Sequence, residues 1–102
     1  MTEPVYHLAE PDDWARRTTH YQPASFAEEG LIRCSTVEQL PLVAAKRYPE
    51  RSDMVLLEID TAIVGDEIVF EDLYDLGEEY PHIYAPIPVS AVVSAEVYRA
   101  SR

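Results

Sequence analysis

Four polar residues stand in short stretches of strand-forming sequence: His7, Arg33, Ser35 and His82. Successive side chains of a strand point to opposite faces. His7 is therefore placed with Val5 and Ala9, Arg33 with Leu31 and Ser35, and His82 with Tyr84. An unpaired charge on an otherwise buried face is costly, so such residues either line a cleft or have partners. In a cleft they offer definite chemistry. Arg33 is a planar, two-pronged donor for an anionic group. His82, whose imidazole titrates at about pH 6.5 when unperturbed, suits general acid/base work. Each also has a purely structural alternative. His7 fits a hydrogen-bonded core histidine, and His82 a strand-end residue at the surface. Arg33 can pair with Glu28 or Glu29. Ser35-Thr36-Val37-Glu38 matches the capping box, with Ser35 as the helix N-cap. Cys34 alternates to the opposite face from Arg33 and Ser35, which makes it packed and unreactive.

Several other chemistries lack their signatures. The histidines fall at 7, 20 and 82, without metal-ligand spacing, so no metal site is expected. A single cysteine excludes an intramolecular disulfide and a Cys₄ or Cys₂His₂ zinc site. There is no G-x-S-x-G elbow and no G-x-G-x-x-G turn. Carboxylates such as Glu58, Glu71 and the pair Glu78 and Glu79 give no specific signal in so acidic a segment.

The elements that must position these residues follow from pattern and punctuation. Residues 5–8 read as a first strand. Residues 10–17 read as a helix, with Pro11 at its start, Asp12 and Asp13 in its first turn, and Trp14 as its core anchor. Residues 18–29 read as a polar loop with a short turn at 25–28. Gly30 precedes a second strand at 31–34, and a helix runs from near Pro41 to Tyr48. Residues 54–59, almost continuously apolar, read as a central strand covered on both faces. A turn at 60–65, a strand at 68–71, an acidic loop at 72–79, an extended segment at 81–84 and a last strand at 91–98 complete the chain. The order β-α-β-α followed by strands alone gives an α+β fold. The sheet should be mixed or largely antiparallel, with two main helices near the N-terminus. The 102 residues are expected to form one domain, with its core at about 5–98.

The formal net charge of −11 is concentrated in the middle of the chain. Residues 49–80 hold eleven acidic side chains against Arg51 alone. That field repels phosphate backbones, so no nucleic-acid partner is expected. Segment 66–79 is instead a candidate surface for a protein partner. No apolar run approaches the roughly 20 residues needed to span a bilayer, and residues 1–4 begin no signal-peptide pattern. A lone thiol fits a reducing cytoplasm.

Tyr6-His7, the block Glu29 to Thr36 with Glu38-Gln39, the block Val55 to Asp60, and Pro81-His82-Ile83-Tyr84-Ala85-Pro86-Ile87-Pro88 followed by Ala91-Val92-Val93 together resemble a bacterial family, domain of unknown function 952. The resemblance covers about residues 5–95. It implies a compact ADP-ribosyltransferase-like fold, a split sheet whose short strands part around a cleft that holds NAD⁺. By that resemblance His7 matches the first-strand motif, Arg33 and Ser35 the second, and His82 the third. The second motif usually has His where this chain has Arg33, and the third usually has Glu where it has His82. The second also resembles the H-x-S segment of RNA 2′-phosphotransferases. The resulting expectation is a nucleotide-type ligand, NAD⁺ or ADP-ribose-like, with ADP-ribosyl or phosphate transfer as the chemistry. His7, Arg33, Ser35 and Tyr84 would bind it, and His82 and Ser35 would be the catalytic residues. The rival expectation is an interaction module that uses acidic segment 66–79 and has lost catalysis.

Overall fold

The computed structural model describes residues 3–99. Its most regular part is a three-stranded antiparallel sheet in the order β1-β4-β8, built from β1 (Val5–Ala9), β4 (Val55–Ile59) and β8 (Val92–Val97). A second sheet has the order β3-β6-β5, from β3 (Ile32–Arg33), β6 (Tyr80–Ile83) and β5 (Ile68–Glu71). A two-stranded ribbon pairs β2 (His20–Tyr21) with β7 (Ile87–Pro88). Among the described residues every strand pairing is antiparallel. The α+β reading holds, and the mixed-sheet alternative gives way to antiparallel pairing.

The two larger sheets meet at one residue pair. Tyr6 and Ser35 exchange both backbone hydrogen bonds, at 2.8 and 2.7 Å. Around that isolated bridge β1 and β3 diverge, and the cleft described below lies between them.

The helices are short: α1 (Pro11–Ala15), α2 (Phe26–Glu29), α3 (Leu40–Arg47) and α4 (Thr61–Val64). The first expected helix is therefore shorter than 10–17, and the expected loop at 18–29 contains both β2 and α2. Gly30 ends α2 with φ of 72°, a left-handed conformation that costs glycine nothing, and turns the chain into β3. Asp60 caps α4 by accepting from the Ala62 N–H at 2.9 Å. The expected turn at 60–65 is thus a capped helical turn.

The capping-box pair lies one residue further on than expected, in the turn at 36–39 that leads into α3. Thr36 N–H donates to Gln39 Oε1 at 3.0 Å, and Gln39 N–H donates to Thr36 Oγ1 at 3.3 Å. Ser35 cannot be the N-cap because its backbone is tied to Tyr6. The reciprocal pair therefore forms from Thr36 and Gln39, not from Ser35 and Glu38.

Two apolar clusters hold the layers together. The larger one joins Val5, Ala9, Tyr21, Ile32, Cys34, Leu57, Ile59, Ile83, Ile87 and Ala91. Fully burying a side chain of the Ile or Leu kind contributes about 1.5–3 kcal/mol, so this cluster fastens all three sheets. The smaller cluster packs Leu40 and Ala44 of α3 over Leu8 and Met54, with Tyr6, Tyr48 and Leu56 beside them. It covers the second face of β1 and β4 at one end only. Leu57 and Ile59 are fully buried, whereas Leu56 and Glu58 are half-buried. The expectation that β4 is covered on both faces is corrected accordingly.

Candidate functional site

A cleft of about 600 Å³ opens where β1 and β3 part. Its lining includes His7, Arg33, Ser35 and His82, which come from three different strands or their ends. The register explains the convergence. Arg33 lies directly opposite His82 in the β3–β6 pair, and Ser35 joins β3 to Tyr6, the neighbour of His7. Four residues separated by up to three-quarters of the chain thus share one hollow.

His7 is buried and both ring nitrogens are engaged. Nδ1 lies 2.7 Å from the Arg33 carbonyl oxygen, and Nε2 lies 2.8 Å from the Tyr21 hydroxyl. A carbonyl only accepts, so Nδ1 carries the proton and the Tyr21 hydroxyl donates to Nε2. Burial lowers the His7 pKa to about 4; its bond to the Arg33 carbonyl and nearby Asp13 oppose this, and Arg47 adds to it. His7 is therefore neutral at pH 7 and ties β1, β2 and β3 together at the back of the cleft. Burial also raises the Tyr21 hydroxyl, and nearby Asp13 adds to this, so Tyr21 stays protonated and can donate.

Arg33 is half-buried at the cleft wall. Its Nη1 donates to Glu29 Oε1 at 2.7 Å, and its Nε donates to the Tyr74 hydroxyl at 2.8 Å. Pairing with Glu29 is one of the two partners the sequence offered. A guanidinium has five N–H donors, so these two bonds leave donor capacity for a ligand.

His82 is buried at 2% exposure, which rules out the surface alternative. Its Nδ1 is 3.3 Å from Glu71 Oε2. The two atoms are within ion-pair range, and Nδ1 has no well-formed hydrogen bond among the described residues. Burial lowers the His82 pKa; Glu71 opposes this and Arg33 adds to it. Ser35 is buried at the cleft surface. Tyr84 lies outside the cleft lining. It is exposed, and its hydroxyl donates to Glu71. It follows the end of β6, where its backbone N–H donates to the Glu67 carbonyl at 3.0 Å. Cys34 is buried, and burial raises its thiol pKa.

The cleft also contains residues the strand pattern did not single out. Lys46 and Arg47, from the last turn of α3, stand at its exposed rim. Tyr48, Tyr74 and Tyr80 add aromatic surface. Tyr74 and Leu76 come from the acidic loop, which is shaped by Asp72 accepting from the Leu76 and Gly77 N–H groups, both at 2.8 Å. Gln39 ties the loop to α3 through Glu78 Oε2 and the Glu79 carbonyl, each at 2.8 Å. Segment 66–79 is thus partly a wall of the cleft. Basic residues ending a helix were a readable signal; the position of Tyr74, in a loop with no periodicity, was not.

Among the described residues no group of three or more His, Cys, Asp or Glu side chains could hold a metal ion. No described helix is long and apolar enough to cross a membrane.

The fold is shared with the crystal structure of protein CC0527 from Caulobacter crescentus, with a TM-score of 0.82 and 25% sequence identity over 96% of this chain and 88% of that one. A double mutant of the same Caulobacter protein superposes equally well, with a TM-score of 0.81 and 25% identity over the same shares. No curated protein is similar to this chain. Residues 8–95 match the model of the family described as Protein of unknown function (DUF952), and the chain belongs to that family.

Proposed function

We propose that the cleft binds a small anionic ligand of nucleotide type, NAD⁺ or ADP-ribose-like, in an ADP-ribosyltransferase-like arrangement of split strands. The observation that carries this reading is the cleft's charge. Arg33, Lys46 and Arg47 line it beside Glu10, Asp13 and Glu29, so its lining is balanced in charge while the whole chain carries −11. Both histidines beside them are driven toward the neutral form, so each can hydrogen-bond without adding charge. A hollow of about 600 Å³ lies within the usual range of small-molecule sites, roughly 300–1,000 Å³. Tyr48, Tyr74 and Tyr80 supply flat surface for a base or nicotinamide ring.

The roles follow from the contacts. The donors of Arg33 not used by Glu29 and Tyr74 hold a phosphate, assisted by Lys46 and Arg47. Ser35 offers a hydroxyl to the same ligand, and His82 is its proton-transfer group. His7 forms the back wall and positions Arg33 through the backbone carbonyl. Transfer chemistry of the ADP-ribosyl or phosphate kind is the reaction class this arrangement would serve.

The test is a thermal-shift and calorimetric titration with NAD⁺, ADP-ribose, nicotinamide and ATP. A ligand at 100 times its Kd stabilises a domain by about 2.7 kcal/mol. Arg33→Ala should weaken the ligand at least tenfold. If none of these compounds shifts the unfolding temperature, the nucleotide reading is wrong.

A second reading, an interaction module, draws on the exposed Phe70, Leu73 and Leu76 within the acidic segment. Replacing Asp72, Asp75, Glu78 and Glu79 by Asn or Gln should release a partner captured by the wild-type protein. An unchanged set of captured proteins would remove that reading.

A further inference from the structure

Glu71 lies outside the cleft lining, yet its carboxylate faces a buried imidazole atom that lacks a hydrogen-bond partner among the described residues. It reaches from β5 toward His82 on β6, with Oε2 3.3 Å from Nδ1. The register accounts for this. Val69 is directly opposite His82 and Glu71 is opposite Tyr80, so Glu71 sits two residues along β5 on the same face as Val69. It is the diagonal neighbour of His82, within reach of a long side chain. The Tyr84 hydroxyl donates to the same carboxylate oxygen from the far side. Glu71 is thereby held by a donor on one side and faces the buried His82 nitrogen on the other.

A neutral imidazole carries one proton. An ionised carboxylate can only accept, so a carboxylate at Nδ1 places the proton there and leaves Nε2 bare. Nδ1 is fully buried and turned toward Glu71, which does not line the cleft, whereas His82 does. The edge of the ring away from Glu71 carries Nε2. We propose that Glu71 is a positioning residue that fixes His82 as a hydrogen-bond acceptor in the cleft, and that the site therefore selects a ligand bearing a hydroxyl group beside its anionic group, the pattern of a sugar phosphate. Arg33, directly opposite His82 across the β3–β6 pair, takes the anionic group, and the bare Nε2 takes the hydroxyl hydrogen. A carboxylate or phosphate without a neighbouring hydroxyl leaves that acceptor unsatisfied, which is the basis of selection. This inference rests on the nucleotide reading for its ligand but not for the state of His82.

The experiment has two arms on the full chain. In the first, nitrogen NMR of histidine-labelled protein at pH 7.5 reads the tautomer of His82. The wild type should show the proton on Nδ1. Glu71→Leu should move it toward Nε2 and lower the His82 pKa by about one unit. Glu71→Gln, which keeps an acceptor oxygen, should restore the Nδ1 tautomer without the charge. A wild-type proton on Nε2, or a Glu71→Leu spectrum identical to wild type, overturns the proposal. In the second arm, calorimetry compares ADP-ribose, ADP, 2′,3′-dideoxy-ADP and inorganic pyrophosphate. The hydroxyl-bearing ligands should bind about tenfold more tightly than the dideoxy compound in the wild type. Glu71→Leu should abolish that difference and leave pyrophosphate affinity unchanged. If the difference survives in Glu71→Leu, Glu71 does not set the selection. If no compound binds the wild type, the nucleotide reading and the ligand class fail together, and the tautomer arm alone decides whether Glu71 positions His82.

Discussion

His7 Nδ1 donates to the backbone carbonyl oxygen of Arg33 at 2.7 Å, across 26 residues of sequence. The bond couples two residues that the sequence marked separately. It joins β1 to β3 just beyond the Tyr6–Ser35 bridge, where the sheets part. The same imidazole accepts from Tyr21, so three strands converge on one neutral ring. The cleft owes its shape to this ring, and Arg33 owes to it the position of its backbone.

Stability should fall in mild acid because of His7. Its folded pKa, about 4, lies below the ordinary value of 6.5. The unfolded chain therefore binds a proton that the folded one refuses. The contribution is fully present above about pH 6.5 and is lost as pH falls toward 4. It amounts to about 3 kcal/mol. Urea titrations from pH 7.5 to 4 should show this limb, and His7→Phe should flatten it. The variant should also be less stable at pH 7.5 by about 2–3 kcal/mol, through the unpaired Tyr21 hydroxyl and Arg33 carbonyl. A wild-type profile level between pH 6.5 and 4.5 would contradict the structure.

Thr36 and Ser35 should separate in mutagenesis. Thr36→Ala removes one half of the reciprocal pair that leads into α3 and should cost about 1 kcal/mol. Ser35→Ala keeps the backbone bridge to Tyr6 and should cost under about 0.5 kcal/mol, while weakening any ligand of the cleft. Chemical denaturation of the two variants decides the matter. A larger loss for Ser35→Ala would restore Ser35 as the cap.

Arg33 should be felt by His82. Its positive charge is one of the two influences that lower the His82 pKa, after burial. Arg33→Ala should raise that pKa by a few tenths to about one unit. A proton NMR titration of the imidazole measures it. An unchanged or lower value would mean that the guanidinium does not face the ring.

Cys34 should resist alkylation. It is buried, and burial pushes its thiol pKa up, while the thiolate is the reactive form. Iodoacetamide at pH 8 should leave the folded protein unmodified and label it fully in denaturing urea. Cys34 also lies in the cleft lining, so rapid labelling of the native protein would show that the thiol is reached from the cleft and is not sealed by burial.

The elements were legible where they follow from local rules. The strand at 68–71 is β5 as read, because a β-branched and aromatic run lies between acidic turns. The helix near Pro41 starts at Leu40 and ends at Arg47, since proline suits a first turn and Pro49 stops continuation. Ser35 was misjudged as a cap because two overlapping capping boxes, Ser35 with Glu38 and Thr36 with Gln39, are equally good on paper. A long-range backbone pair with Tyr6 chose between them. Alternation places Tyr84 with His82, and both side chains meet Glu71 Oε2, but only His82 lines the cleft.

From residue types and alternation alone, His7, Arg33, Ser35 and His82 had to be paired or line a cleft, and Cys34 had to be packed. Strand order decided the rest. Only a β3-β6-β5 sheet puts Arg33 opposite His82, and only a neighbouring β5 brings one carboxylate, Glu71, to His82. Eleven acidic side chains between residues 49 and 80 are indistinguishable by composition. Register singles one out, because a two-residue offset on an adjacent strand is a contact in space that leaves no mark in the sequence around it.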